Sequence, residues 1–194
     1  MMNIRAVTLA CALMLGGCFD AQQHVSVNED GSIAVTVTAQ TPRKFWDMMP
    51  AAQRAEIGCG PVEQTLRMRN GAPVRTYGRT TEAFQECHYE AVFSSPDDIP
   101  ADLPIYVEKD DDGRLAITAG AFFGGKGETI GDWERMASAG KSYTIIIAGQ
   151  VTQTTGEIAP DGLSAKRVIP MVDLWPSPQV LGLKTWIKDP TQSN

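Results

Sequence analysis

The stretch Gly120 to Thr129, GAFFGGKGET, comes within one residue of a phosphate-binding loop. Such a loop needs Gly, four residues, Gly-Lys and then Ser or Thr, because glycine amides cradle phosphate while the hydroxyl holds magnesium. Gly120, Gly125 and Lys126 fit, but Gly127 stands where the hydroxyl belongs. The better reading is a flexible loop after a strand, with glycines for backbone freedom. Other chemistry is equally sparse. Neither histidine, His24 or His88, sits in a Gly-x-Ser-x-Gly or Cys-His context that would recommend it as a hydrolytic base. No spacing singles out a carboxylate pair among the 23 acids. The run Asp110 to Asp112 lacks the spaced ligands and closing Glu of a calcium loop and reads as a solvated turn. These residues point away from an enzyme, a metal centre and a cofactor.

The cysteines carry a different chemistry. Residues 1–17 place one positive charge, Arg5, before an apolar run from Ala6 to Leu15 and two glycines, the pattern of a secretory signal too short to span a bilayer. Its end, Leu15-Gly16-Gly17-Cys18, resembles the lipobox of bacterial lipoproteins, in which the chain is cut before the cysteine and the cysteine is acylated. Cys18 is therefore the expected lipidation site, and several acyl chains there anchor far more firmly than one. Residue 19 is Phe rather than Asp, which favours the outer over the inner membrane by analogy with lipoprotein sorting, on the periplasmic side. Free ATP is absent there, so the near-phosphate loop loses its purpose. Cys11 leaves with the signal, and Cys59 and Cys87 remain as an even pair. A disulfide closing that loop would stabilise by about 3.5 kcal/mol, less any strain. A metal site is the alternative, but two histidines and no Cys-x-x-Cys make the disulfide the favoured reading.

Cutting 17 of 194 residues leaves 177, the size of one domain, and loses Arg5, so the net charge moves from −6 to −7. An acidic chain without a Lys/Arg cluster excludes nucleic acid and electrostatic lipid attachment as expected partners. Alternating runs flank Asp30-Gly31 in HVSVNEDGSIAVTVTAQ and Asp112-Gly113 in IYVEKDDDGRLAITAGAFF, so each predicts a tight hairpin. Thr41 reads as an N-cap with Pro42 opening a helix that ends at Gly58, kinked or divided at Pro50. The segment RMRNGAPVRTY could turn at Asn70-Gly71, and CHYEAVF puts Cys87, Tyr89, Ala91 and Phe93 on one face. A short helix is expected in TIGDWERMASAG, and SYTIIIAGQV, LSAKRVIPMVDLW and VLGLKTWI read as three further strands. The predicted fold is α+β, a mostly antiparallel curved sheet built from hairpins with one to three short helices packed on it. Its predicted organisation is a lipidated tether at 18–23, a single domain at 24–187 and a disordered tail at 188–194.

The order of HVSVNEDGSIAVTVTAQTP, IYVEKDDDGRLAITAGAFF and SYTIIIAGQVTQTTGEIAPDGLSAKRVIP after the lipobox resembles the domain of the LppM-type bacterial lipoproteins. The resemblance runs from about His24 to Pro170 and implies an α+β envelope domain with a proposed lipid or glycolipid ligand and no enzymatic activity. Several members carry a membrane helix near the C-terminus, which this sequence lacks, and the Cys59/Cys87 pair, Trp46 and Trp133 do not look like family features. The expected function is a lipid-anchored, non-enzymatic binding domain, with Phe122, Phe123 and Trp133 as ligand-binding residues for an acyl chain or similar group. Two adjacent exposed phenylalanines would imply a partner, whereas tucked into the core they would imply nothing. The alternative is a structural or assembly lipoprotein that contacts an envelope protein through a sheet edge or an exposed helix.

Overall fold

A computed structural model describes residues 20–51, 54, 63–67, 73–101, 103–121, 139–174 and 181–192. The first hairpin forms where the Asp-Gly signal put it. Strand β1 (Asp20–Val27) pairs antiparallel with β2 (Ile33–Pro42), and Gly31 takes a φ of 83° that other residues rarely adopt. Asp30 secures the turn, its carboxylate accepting from the Ser32 amide at 2.9 Å and the Ser32 hydroxyl at 2.6 Å.

Strand β2 continues the alternation and pairs with β5 (Phe84–Phe93), which pairs in turn with β4 (Pro73–Thr80), and β4 with β3 (Gln64–Arg67). On β5 the expected face points inward: Cys87, Ala91 and Phe93 are buried and Tyr89 packs against them. The other flank of β1 carries β8 (Ser142–Ala148), then β11 (Ser164–Pro170) and the two-residue β10 (Glu157–Ile158). The β1–β8 pair is parallel, and Tyr143, Ile145 and Ile147 alternate into the interior.

A second sheet of four antiparallel strands runs in the order β6 (Ile105–Lys109), β7 (Leu115–Gly120), β12 (Gly182–Ile187), β9 (Val151–Thr154). The two inner faces share one core, in which Val25, Ile33, Tyr143 and Ile145 of the large sheet meet Ile105, Ile117, Leu183 and Ile187 of the small one. The expected single sheet is thus two, mostly antiparallel and mostly β, and the described residues include the short helices α1 (Arg43–Met48) and α2 (Met171–Leu174).

Gly149 is where the chain changes sheets. SYTIIIAGQV does not run as one strand, because β8 ends at Ala148 and β9 pairs with β12 instead. Gly149 has φ 145°, and a Cβ there would stand 2.7 Å from Ile187 Cδ1, so the two sheets approach each other through a missing side chain.

Other boundaries move for identifiable reasons. Thr41 is a buried residue of β2 rather than a cap, and Pro42 holds the N-cap position, φ −52° and ψ 133°. Helix α1 stops at Met48 because Met49, preceding Pro50, is extended. LSAKRVIPMVDLW is strand only to Pro170, after which it turns into α2. Asp20 to Gln23, expected in the tether over 18–23, belong to β1. Where a disordered tail is expected, a 3-10 turn forms at Pro190–Gln192 and the Asp189 side chain is buried. The turn at Asn70-Gly71 and nearly all of the helix expected in TIGDWERMASAG lie outside the described residues.

Candidate functional site

Strand β6 forms one edge of the small sheet, and its main-chain pattern follows from the hairpin. The Asp110 amide donates to the Arg114 carbonyl at 2.9 Å and the Gly120 amide to the Pro104 carbonyl at 2.6 Å. In an antiparallel pair this parity turns the main-chain groups of residues 104, 106, 108 and 110 toward β7. Ile105, Val107 and Lys109 therefore direct theirs to the other side. The Ile105 amide bonds back to the Leu103 carbonyl at 2.8 Å. That places the Ile105 carbonyl, both groups of Val107 and the Lys109 amide on an edge where no described strand pairs.

A groove of about 180 Å3 runs beside this edge. Its apolar walls are Pro96, Ile99, Pro100 and Leu103 from the loop after β5, facing Ile105 and Val107. The loop is held in shape by the 3-10 turn Pro96–Asp98, where the Ser95 hydroxyl donates to Asp98 Oδ2 at 3.1 Å. Asp97 and Glu108 stand exposed on the rim, and Tyr106 is 56% exposed on the outer face. Acid predominates here. The nearby cations are occupied: Arg114 bonds Asp110 at 2.8 Å and Asp112 at 3.0 Å, and Lys109 bonds the buried Asp189 at 2.9 Å. The Thr191 hydroxyl and Lys109 together hold the Asp189 carboxyl below the usual carboxylate range, against the effect of burial. Asp97 and Glu108 have no cationic partner among the described residues.

The two histidines lie on the opposite surface, the outer face of the large sheet. His88 stacks on Tyr77 with ring centres 4.6 Å apart and 12° between planes, shares a hydrogen bond of 3.2 Å between Nδ1 and Thr38 Oγ1, and stands 3.8 Å from Glu86. His24 pairs across to Thr36, one row away from His88, and burial pushes its pKa down. They do not converge on a common partner. The acidic turn behaves as expected of a solvated turn, with Asp110 accepting from the Asp112 and Arg114 amides.

Of the residues singled out by sequence, Cys87 is buried on the inner face of β5. Cys18, Cys59, Phe122, Phe123 and Trp133 lie outside the described residues. Sequence reasoning missed this edge because an edge is a property of strand order. The alternation of Ile105 and Val107 was legible, but the terminal place of β6 among the described strands was not.

Strand order defines a two-sheet β domain in which β6 is a terminal strand of the small sheet that no described strand pairs on its outer side. No family model matches the sequence, and no curated protein does. Among solved structures, the NMR structure of the folded domain of the Mycobacterium tuberculosis LppM protein superposes with a TM-score of 0.48 at 13% identity, covering 92% of this chain and 95% of that one. The likeness is one of general architecture at most and carries nothing about ligand, partner or anchoring.

Proposed function

We propose that this protein is a lipid-anchored, non-enzymatic envelope domain that works by holding a protein partner along the open edge of β6. The observation that carries this reading is the juxtaposition of the Ile105 carbonyl, both main-chain groups of Val107 and the Lys109 amide, which no described strand pairs, with an apolar groove along the same edge. Strand addition draws its affinity from such groups and its specificity from flanking pockets. A lipid ligand has weaker support. The described interior is filled by Ile33, Ile117, Tyr143 and Leu183, each fully buried, and 180 Å3 falls short of the roughly 300–1,000 Å3 of ordinary small-molecule sites.

The anchor belongs to the same reading. Acylation of Cys18, with Phe19 rather than Asp after it, would tether the domain to the outer membrane on its periplasmic side. Only Phe19 separates Cys18 from β1, so the leash is short and the partner must come to the surface of the membrane. The Cys59/Cys87 disulfide suits that oxidising compartment, and the burial of Cys87 under the sheet is in keeping with it.

Photo-crosslinking in living cells tests the proposal. A crosslinking side chain at Tyr106 should yield a discrete product of higher mass, whereas the same group at Val168, 54% exposed on the other sheet, should not. Equal labelling at both positions, or none at Tyr106, overturns it.

A further inference from the structure

Resting on the strand-addition reading, we infer that the occupant of the β6 edge is an extended protein segment in which basic side chains alternate with apolar ones. The alternation follows from the strand itself. Ile105 and Val107 face the core side, while Tyr106 and Glu108 face outward, so a segment paired to β6 inherits the same two-residue period. On the inner side its residues meet Ile99, Pro100 and Leu103 across the groove and must be apolar. On the outer side they meet Glu108 and Tyr106, with Asp97 at the rim.

Charge decides the sign of the outer residues. Of the described cations, Lys109 is neutralised by Asp189 and Arg114 by Asp110 and Asp112, while Lys184, two strands in on the same outer face, lies over the Trp186 ring. Glu108, Asp97 and the exposed Asp111 keep their charge uncompensated among the described residues. An acidic segment would meet like charge directly across the ladder, while Lys or Arg opposite Glu108 would pair with it. Arg or Lys can also lie over the exposed Tyr106 ring. The same acids discourage a second copy of β6 from docking edge to edge, because it would place Glu108 against an identical acidic rim.

The test uses the full mature chain in detergent micelles and three acetylated, amidated nonapeptides read by fluorescence anisotropy: alternating Lys-Val, alternating Glu-Val, and Lys-Val with alternate backbone nitrogens methylated. The Lys-Val peptide should bind at least tenfold tighter than Glu-Val and lose affinity as salt rises. The pair Asp97→Lys and Glu108→Lys, both on exposed positions that leave the fold intact, should weaken it at least fivefold and improve Glu-Val binding. Equal affinity of the two unmethylated peptides, or no effect of the charge reversal, overturns the basic segment while leaving edge pairing standing. If the methylated peptide binds as well as its parent, charge alone drives the contact, and strand addition itself falls.

Discussion

The Tyr143 hydroxyl donates a 2.7 Å hydrogen bond to Gln23 Oε1 inside the protein, joining the parallel strands β8 and β1 where both side chains are fully buried. The amide nitrogen of the same glutamine has no partner among the described residues. Strand β1 is thus tied into the large sheet by a polar contact that is satisfied on one side only.

Tyr143→Phe should cost about 1–3 kcal/mol, because it leaves the whole Gln23 amide buried without its one partner. The double variant Tyr143→Phe with Gln23→Met, of similar shape, removes both ends of the bond and the unmatched nitrogen and should stay within about 1 kcal/mol of the parent. Urea unfolding of the single and double variants checks the order, and a larger loss for the double variant would contradict it.

Removing residues 20–23 should destabilise the domain by about 3 kcal/mol or more. The cut deletes the Gln23 bond, the burial of Ala21 and the contacts of Asp20, whose carboxylate accepts from the Ser142 amide at 2.9 Å and from Lys141 at 3.1 Å. A chain starting at Asp20 should match the full mature protein in thermal melting, and one starting at His24 should not.

Gly149→Ala should cost about 2–4 kcal/mol, since a φ of 145° strains any side chain and the new Cβ meets Ile187 in the core. Gly140→Ala provides the contrast. Its φ of 72° is also left-handed, but nothing lies within 4 Å, so a loss of about 1 kcal/mol is expected. Similar losses at both sites would show that backbone strain, and not the sheet-to-sheet approach, is what Gly149 relieves.

Two groups should give the stability a two-stage dependence on acid. His24 has a folded pKa below its ordinary 6.5, so between the two values the unfolded chain binds more protons and stability falls as pH drops below about 6.5. Asp189 has a folded pKa below its ordinary 3.8, so its contribution is present at neutral pH and disappears as pH falls through the acid range below about 4. Chemical denaturation across pH should show His24→Gln flattening the first stage and Asp189→Asn the second.

Cys18→Ser should abolish incorporation of labelled palmitate and release the protein from the membrane fraction, leaving the spectrum of the folded domain unchanged. Peptide mapping without reductant should recover Cys59 and Cys87 in one linked fragment. Separate free peptides would remove the disulfide from the proposal.

Local signals carried a good part of this fold. Asp30-Gly31 and Asp112-Gly113 each form the hairpin that their positive-φ requirement calls for, and the two-residue alternation in CHYEAVF and IYVEK correctly divides inward from outward residues. Both depend on neighbours within a few positions, which is the range over which a sequence pattern speaks. Tertiary structure alone decided that β1 lies between β2 and a parallel β8, that Gly149 passes the chain to a second sheet, and that Asp189 is pinned by Lys109, which stands 80 positions earlier. Those outcomes rest on burying two apolar faces against each other, a gain that no single segment can realise. The place of β6 at the end of the described small sheet belongs with them, because strand order is decided by which distant segments pack side by side.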